Sequence, residues 1–207
     1  MFAPLESKFV SAAITAAIGT ANITPKIMKY ASDNGINFIF DGTMKNPRIL
    51  NTAMEWNGYD IDWKIMATSR LESLISVFER EFELKKQGSC RSLTVGIHDE
   101  TYLGLESTVA QLESLNNDGR MGHIQIYRRG KDINNPILIY DSYNSENVYN
   151  TAVAALRGGR QEDRRRCIHQ GVDSRIKKLK ERYFELNLAQ RKALDELEAS
   201  IELEMSR

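Results

Sequence analysis

The strongest periodic signal in the chain lies in its last thirty-odd residues, from Asp173 to Ser206. Apolar side chains recur at Ile176, Leu179, Tyr183, Leu186, Leu194, Leu197, Ile201 and Met205, with Gln190 between them. Steps of three and four place them on one face of a helix. An unbroken helix of that span would reach roughly 50 Å. The first half of the seam keeps a heptad spacing and the second approaches an eleven-residue repeat, which favours a nearly straight packing. Charge is polarised along it. Arg175, Lys177, Lys178, Lys180 and Arg182 come first; Asp195, Glu196, Glu198, Glu202 and Glu204 follow. A helix dipole prefers the reverse order, by about 0.3–1 kcal/mol per terminal charge. An antiparallel neighbour would set basic half against acidic half. That neighbour is either a second copy of the chain or the chain's own body. Self-association through these antiparallel helices, in the manner of a short coiled coil, is the expectation, and a fold-back is the alternative.

Ahead of this tail the periodicity changes repeatedly. Helical patterns cover Leu5 to Ser32 (split by Pro25), Ser69 to Gly88, Thr101 to Leu115 and Ser145 to Leu156. Ser69-x-x-Glu72 is a capping box. Strand patterns cover Ile36–Phe40, Tyr59–Ala67, Leu93–Ile97, Met121–Arg128 and Pro136–Tyr143, the last two as a hairpin. The order predicts an α+β protein: a mixed sheet of about five strands with packed helices, followed by the long C-terminal amphipathic helix. Three regions follow from it: a body over 1–157, a basic hinge or linker over 158–172 opened by Gly158-Gly159, and the helix over 173–207.

The 207 residues carry equal numbers of acidic and basic side chains, and 42% are hydrophobic. That is enough for a real core and too neutral for a protein that grips nucleic acid over its whole surface. Cys90 and Cys167 stand in no paired motif, which suits free thiols in a reducing compartment. No apolar run reaches the roughly 18 residues a bilayer requires. Phe9–Ile18 is the nearest and lacks a basic leader. A cytoplasmic protein without membrane partners is therefore expected.

Three groups of side chains could carry function. Arg157, Arg160, Arg164, Arg165, Arg166, Lys177 and Lys178 form a basic stretch whose guanidinium forks suit phosphates. It could bind nucleic acid locally, or simply be a soluble linker. His98-Asp99-Glu100 follows a predicted strand, though Asp99 or Thr101 serves equally as a helix cap. Acids also stand at predicted strand ends: Asp41, Asp99 and Asp141. Asp62-Trp63-Lys64 lies on a predicted strand some twenty residues after Asp41 and just before a helix. That order resembles the core of the PD-(D/E)xK nuclease superfamily. The resemblance implies Asp41 and Asp62 as Mg²⁺ ligands and Lys64 as the residue assisting the attacking water. It covers about residues 36 to 97, and no clear proline-aspartate precedes it. There is no Gly-x-Ser-x-Gly, HExxH, Walker loop or GxGxxG.

The reading that best joins these features is non-enzymatic: a small oligomeric binding or regulatory protein that recognises a macromolecular partner. Its partners would be itself, as a homodimer or higher oligomer, with nucleic acid or another protein as further candidates. It needs no cofactor. The alternatives are a nucleic-acid-binding protein or Mg²⁺-dependent nuclease, with Mg²⁺ its cofactor, and a purely structural assembly protein.

Overall fold

The computed structural model describes residues 23–55, 59–88, 94–116, 121–130 and 135–205. The expectations for Phe9–Ile18, Cys90 and Leu93 lie outside them. Backbone contacts divide the chain into two units, 1–42 with 51–59, and 43–50 with 60–207.

The described part of the first unit is helix α1 (Ile23–Asp33) and an extended segment. Gly35 takes a left-handed conformation after the helix, and Ile36 N–H closes back on Ala31 O at 2.9 Å. The Tyr59 hydroxyl is 3.1 Å from both Ala31 O and Ile36 O. Ile36–Phe40, expected as a buried strand, joins no ladder, and Ile39 is 98% exposed. A run of apolar residues cannot by itself supply the partner strand that makes it β.

Helix α2 (Arg48–Met54) follows, and the second unit holds the sheet. That sheet has three strands, β1 (Asp62–Met66), β2 (His123–Arg128) and β3 (Ile137–Asp141), in the order β1-β2-β3. β1 pairs parallel with β2, Asp62 opposite His123 and Met66 opposite Tyr127. β3 is antiparallel to β2, Gln125 opposite Asp141. The expected five-stranded sheet is thus corrected to three strands among the described residues. Val95–Ile97, read as strand, is the first turn of a helix. Thr94 caps it through Oγ, which accepts the Ile97 N–H at 3.3 Å.

Two helices fill the crossover between β1 and β2: α3 (Arg70–Lys86) and α4 (Val95–Asn116). Trp63, Ile65, Ile124 and Ile126 bury one face of the sheet, and Trp63 Nε1 donates to Met121 O at 2.6 Å. Helix α5 (Ala152–His169) packs on β2 and β3. Gly158 and Gly159, read as a hinge, sit inside this continuous helix. Their function is close approach: a Cβ on Gly159 would meet Ala67 Cβ and Ile139 Cδ1 at 2.7 Å.

The long tail helix is also corrected. It is two helices, α6 (Val172–Glu181) and α7 (Leu188–Met205), joined by a 3₁₀ turn over Tyr183–Glu185. The break has a local cause. Asn187 Oδ1 accepts the Gln190 N–H and Gln190 Oε1 accepts the Asn187 N–H, both at 3.0 Å, a reciprocal cap that starts a new helix. The two helices fold as an antiparallel hairpin onto α3. Ile176, Leu179, Leu186, Leu194, Leu197 and Ile201 are buried in one cluster with Leu71, Leu74, Ile75, Phe78 and Phe82. Tyr183 packs at the edge of that cluster, and Met205 is exposed. Lys180 pairs with Asp195 and Glu198 across the hairpin. The polarity of charge is therefore met inside one chain, and the seam read as a self-association surface is covered by α3.

Candidate functional site

In open α/β sheets, ligands collect beyond the carboxyl ends of parallel strands. Here that edge follows β1. Ala67 N–H donates to Tyr127 O at 2.7 Å, holding the turn against β2. Ser69 then stands extended as the N-cap of α3, its Oγ accepting the Glu72 N–H at 3.2 Å. The Ser69 N–H donates to Asp163 Oδ2 at 2.7 Å. Asp163, from α5, has a fully buried side chain, and its other oxygen accepts from Arg166 at 2.7 Å.

One residue on, Arg70 grips Asp99 by two hydrogen bonds of 2.8 Å each. This fork, with a smaller contribution from His98, holds the Asp99 carboxyl below the usual aspartate range. Asp99 and His98 belong to the second turn of α4. His98 is 6% exposed, with Nδ1 3.1 Å from Asp99 Oδ1 and Nε2 2.9 Å from Ser73 Oγ. Tyr102 stacks on the imidazole, ring centres 6.2 Å apart. The buried Arg160 guanidinium lies 3.8 Å from the Tyr102 ring centre and donates to Tyr102 O at 2.8 Å. Burial lowers the pKa of Arg160.

Behind this edge, Glu72 joins three elements. Its oxygens accept from Arg129 at 2.7 Å, Arg175 at 2.6 Å and the Cys167 thiol at 3.2 Å. Burial opposes its charge, yet hydrogen bonds from Arg175 and Cys167 and the nearby guanidinium charges hold the carboxyl below the usual glutamate range. A group depressed on folding contributes stability above its unfolded pKa, which is lost as pH falls through the folded one. The melting temperature should therefore fall on acidification below the ordinary glutamate range. Glu72→Gln should flatten that part of the profile, as followed by circular dichroism. Burial and the neighbouring carboxylates push the Cys167 thiol up to about 12, so it is not a nucleophile at neutral pH.

A second polar cluster occupies the open face of the sheet. His123 Nε2 is 2.7 Å from Asp141 Oδ1, and Nδ1 is 3.4 Å from Asp62 Oδ1. Gln125 donates to Asp141 Oδ2 at 3.0 Å, and Tyr143 stacks on His123 with ring centres 4.3 Å apart. This cluster ties all three strands. A cavity of about 310 Å³ opens beside Asp141, with Arg128, Asn147, Tyr149 and Glu162 among its walls.

The residues expected from sequence fall in different places. Asp41 is exposed in the first unit; Asp62 and Lys64 are exposed on β1 of the second. Among the described residues no three His, Cys, Asp or Glu side chains are grouped to hold a metal ion. Four of the seven residues in the basic stretch meet acids of the same chain, though Arg157 among them stays exposed. Arg157 and Arg160 face Glu106, Arg164 faces Glu204, and Arg166 faces Asp163. Arg165, Lys177 and Lys178 are exposed. Sequence reasoning missed Arg70, Ser73, Tyr102, Arg129 and Asp163. The capping box places Arg70 and Ser73 in the first turns of α3, but nothing local points to their partners Asp99 and His98, 29 and 25 positions away.

A comparison with protein families matches residues 6–145 to the Zeta toxin family. This chain belongs to the Zeta toxin family. No curated protein matches it. The match overturns the expectation of a small oligomeric binding or regulatory protein, with its coiled-coil assembly, and with it the nuclease and structural-assembly alternatives. The Asp-x-Lys tripeptide that suggested a nuclease is short enough to occur by chance on any exposed strand face. Among the described residues no helix is long and apolar enough to cross a membrane.

Proposed function

We propose that this Zeta toxin family chain serves a kinase-like, phosphoryl-transferring toxin. The observation that carries the reading is the family match over residues 6–145, which points to a kinase-like P-loop enzyme. The parallel β1–β2 pair with its helical crossover supports it, because the turn after β1 and the N-terminus of α3 form the edge where such folds take their ligands.

A phosphate-cradling loop has the pattern Gly-x-x-x-x-Gly-Lys-Ser/Thr, whose backbone N–H groups and lysine hold the phosphates. The single Gly-Lys pair here is Gly130-Lys131, and Gln125 stands where the first glycine belongs. The sequence does not fit that loop.

Expression of the chain and a transfer assay on the purified protein test the proposal. Induced expression in a bacterial host should arrest growth, and the purified protein should move label from γ-labelled ATP to an acceptor in a small-molecule extract. Arg70→Ala, which frees Asp99 at the ligand edge, should reduce both. Normal growth together with no labelled product would refute the proposal.

A further inference from the structure

We propose that Ser73 is an activated nucleophile with His98 as its general base and Asp99 as the residue that positions that base, and that it accepts a phosphoryl group from a donor with a good leaving group. The choice of a phosphoryl donor rests on the kinase-like reading above; the activation of Ser73 rests on geometry alone.

Three contacts carry it. The Ser73 Oγ to His98 Nε2 distance is 2.9 Å, and His98 Nδ1 stands 3.1 Å from Asp99 Oδ1. Nucleophile, base and orienting carboxylate in hydrogen-bonding reach of one another are the signature of an activated hydroxyl on any fold. An ionised carboxylate only accepts hydrogen bonds, which assigns the ring proton to Nδ1 and leaves Nε2 to accept from the serine. The third contact is the Arg70 fork on Asp99, which fixes that carboxylate from behind. The parts also differ in exposure as the chemistry requires. His98 is buried, stacked on Tyr102, while Ser73 is only half-buried at the first turns of α3.

The step balances without a further reagent. Ser73 Oγ attacks phosphorus, an O–P bond forms, and the bond to the leaving group breaks with its electron pair. The hydroxyl proton passes to His98 Nε2 and on to solvent. The product is a phosphate ester on Ser73.

A biotinylated fluorophosphonate tests this on the folded 207-residue protein, since a serine that attacks it displaces fluoride and keeps the phosphonyl group. Peptide mapping should find the adduct on Ser73. Ser76, one turn along the same helix, is the internal reference. Ser73→Ala should abolish the adduct, and His98→Gln should slow it on the order of a hundredfold. Asp99→Asn should displace the pH at which labelling is half-maximal, which a purely structural aspartate would leave unchanged. Labelling of Ser73 no faster than Ser76 would overturn the proposal. Should His98→Gln fail to fold, Ser73→Cys decides. Its thiol should alkylate with iodoacetamide at neutral pH faster than free cysteine, and an equal or slower rate overturns the proposal. Labelling of Ser73 without any transfer from ATP would sink the kinase-like reading and leave the activated serine standing.

Discussion

Asp163→Ala should destabilise the protein by about 3–5 kcal/mol, the range for breaking a buried ionic pair from one side. Asp163 performs two tasks from one fully buried carboxylate. One oxygen takes the Ser69 N–H at the start of α3, and the other takes the Arg166 guanidinium. Alanine leaves both donors without that acceptor. Arg166 retains Gln170 Oε1 at 2.6 Å, but its Nε is already buried without a partner. Asp163→Asn keeps a carbonyl for the Ser69 N–H and should lose distinctly less. Urea denaturation of the three proteins measures both differences. A loss below about 1 kcal/mol for alanine would show that the turn after β1 is held by something else.

Gly122→Ala should cost well over the ~1–2 kcal/mol that a left-handed conformation demands of a residue with a Cβ. Gly122 has φ +75°, just before β2. Its Cα also lies so close to the start of β1 that a Cβ would clash with Ile61 O. That oxygen accepts the His123 N–H at 2.8 Å and begins the parallel ladder. It is backbone and cannot swing aside, so the added methyl must force the two strands apart where their pairing starts. Gly35→Ala is the control. It shares the positive φ but has open space around it, and should show the conformational cost alone. Equal losses at the two positions would refute the steric part of the argument.

Local chemistry was readable in the sequence wherever a structure depends on near neighbours. The Ser69-x-x-Glu72 box starts α3 where expected, period-two alternation locates β1, and the hairpin pattern locates β2 and β3, each within a few residues. Reading failed where a partner decides. Ile36–Phe40 has the composition of a strand and no ladder, and Val95–Ile97 has β-branched residues but a threonine cap before it. The tail shows both cases. Its seam is buried as the periodicity implies, yet its break at Asn187 rests on a reciprocal cap that was present in the sequence and hidden by an unbroken seam. The candidate site was the least legible part. His98 and Asp99 stand out in the sequence after a predicted strand, while Ser73 and Arg70, which give them a role, come from a different helix and are joined to them only by folding.

Family likeness ends at residue 145, and burial does not. Leu71, Leu74, Ile75, Phe78 and Phe82 lie on the matched side of that boundary. The buried residues grouped with them, from Cys167 to Ile201, all lie beyond it. A chain cut where the resemblance stops would carry an oily helix on its outside, and a cell's quality control would meet it as an unfinished protein. The hairpin after α5 thus covers hydrophobic surface that the matched region leaves bare, and its inward leucines should tolerate substitution far less than its outward charges.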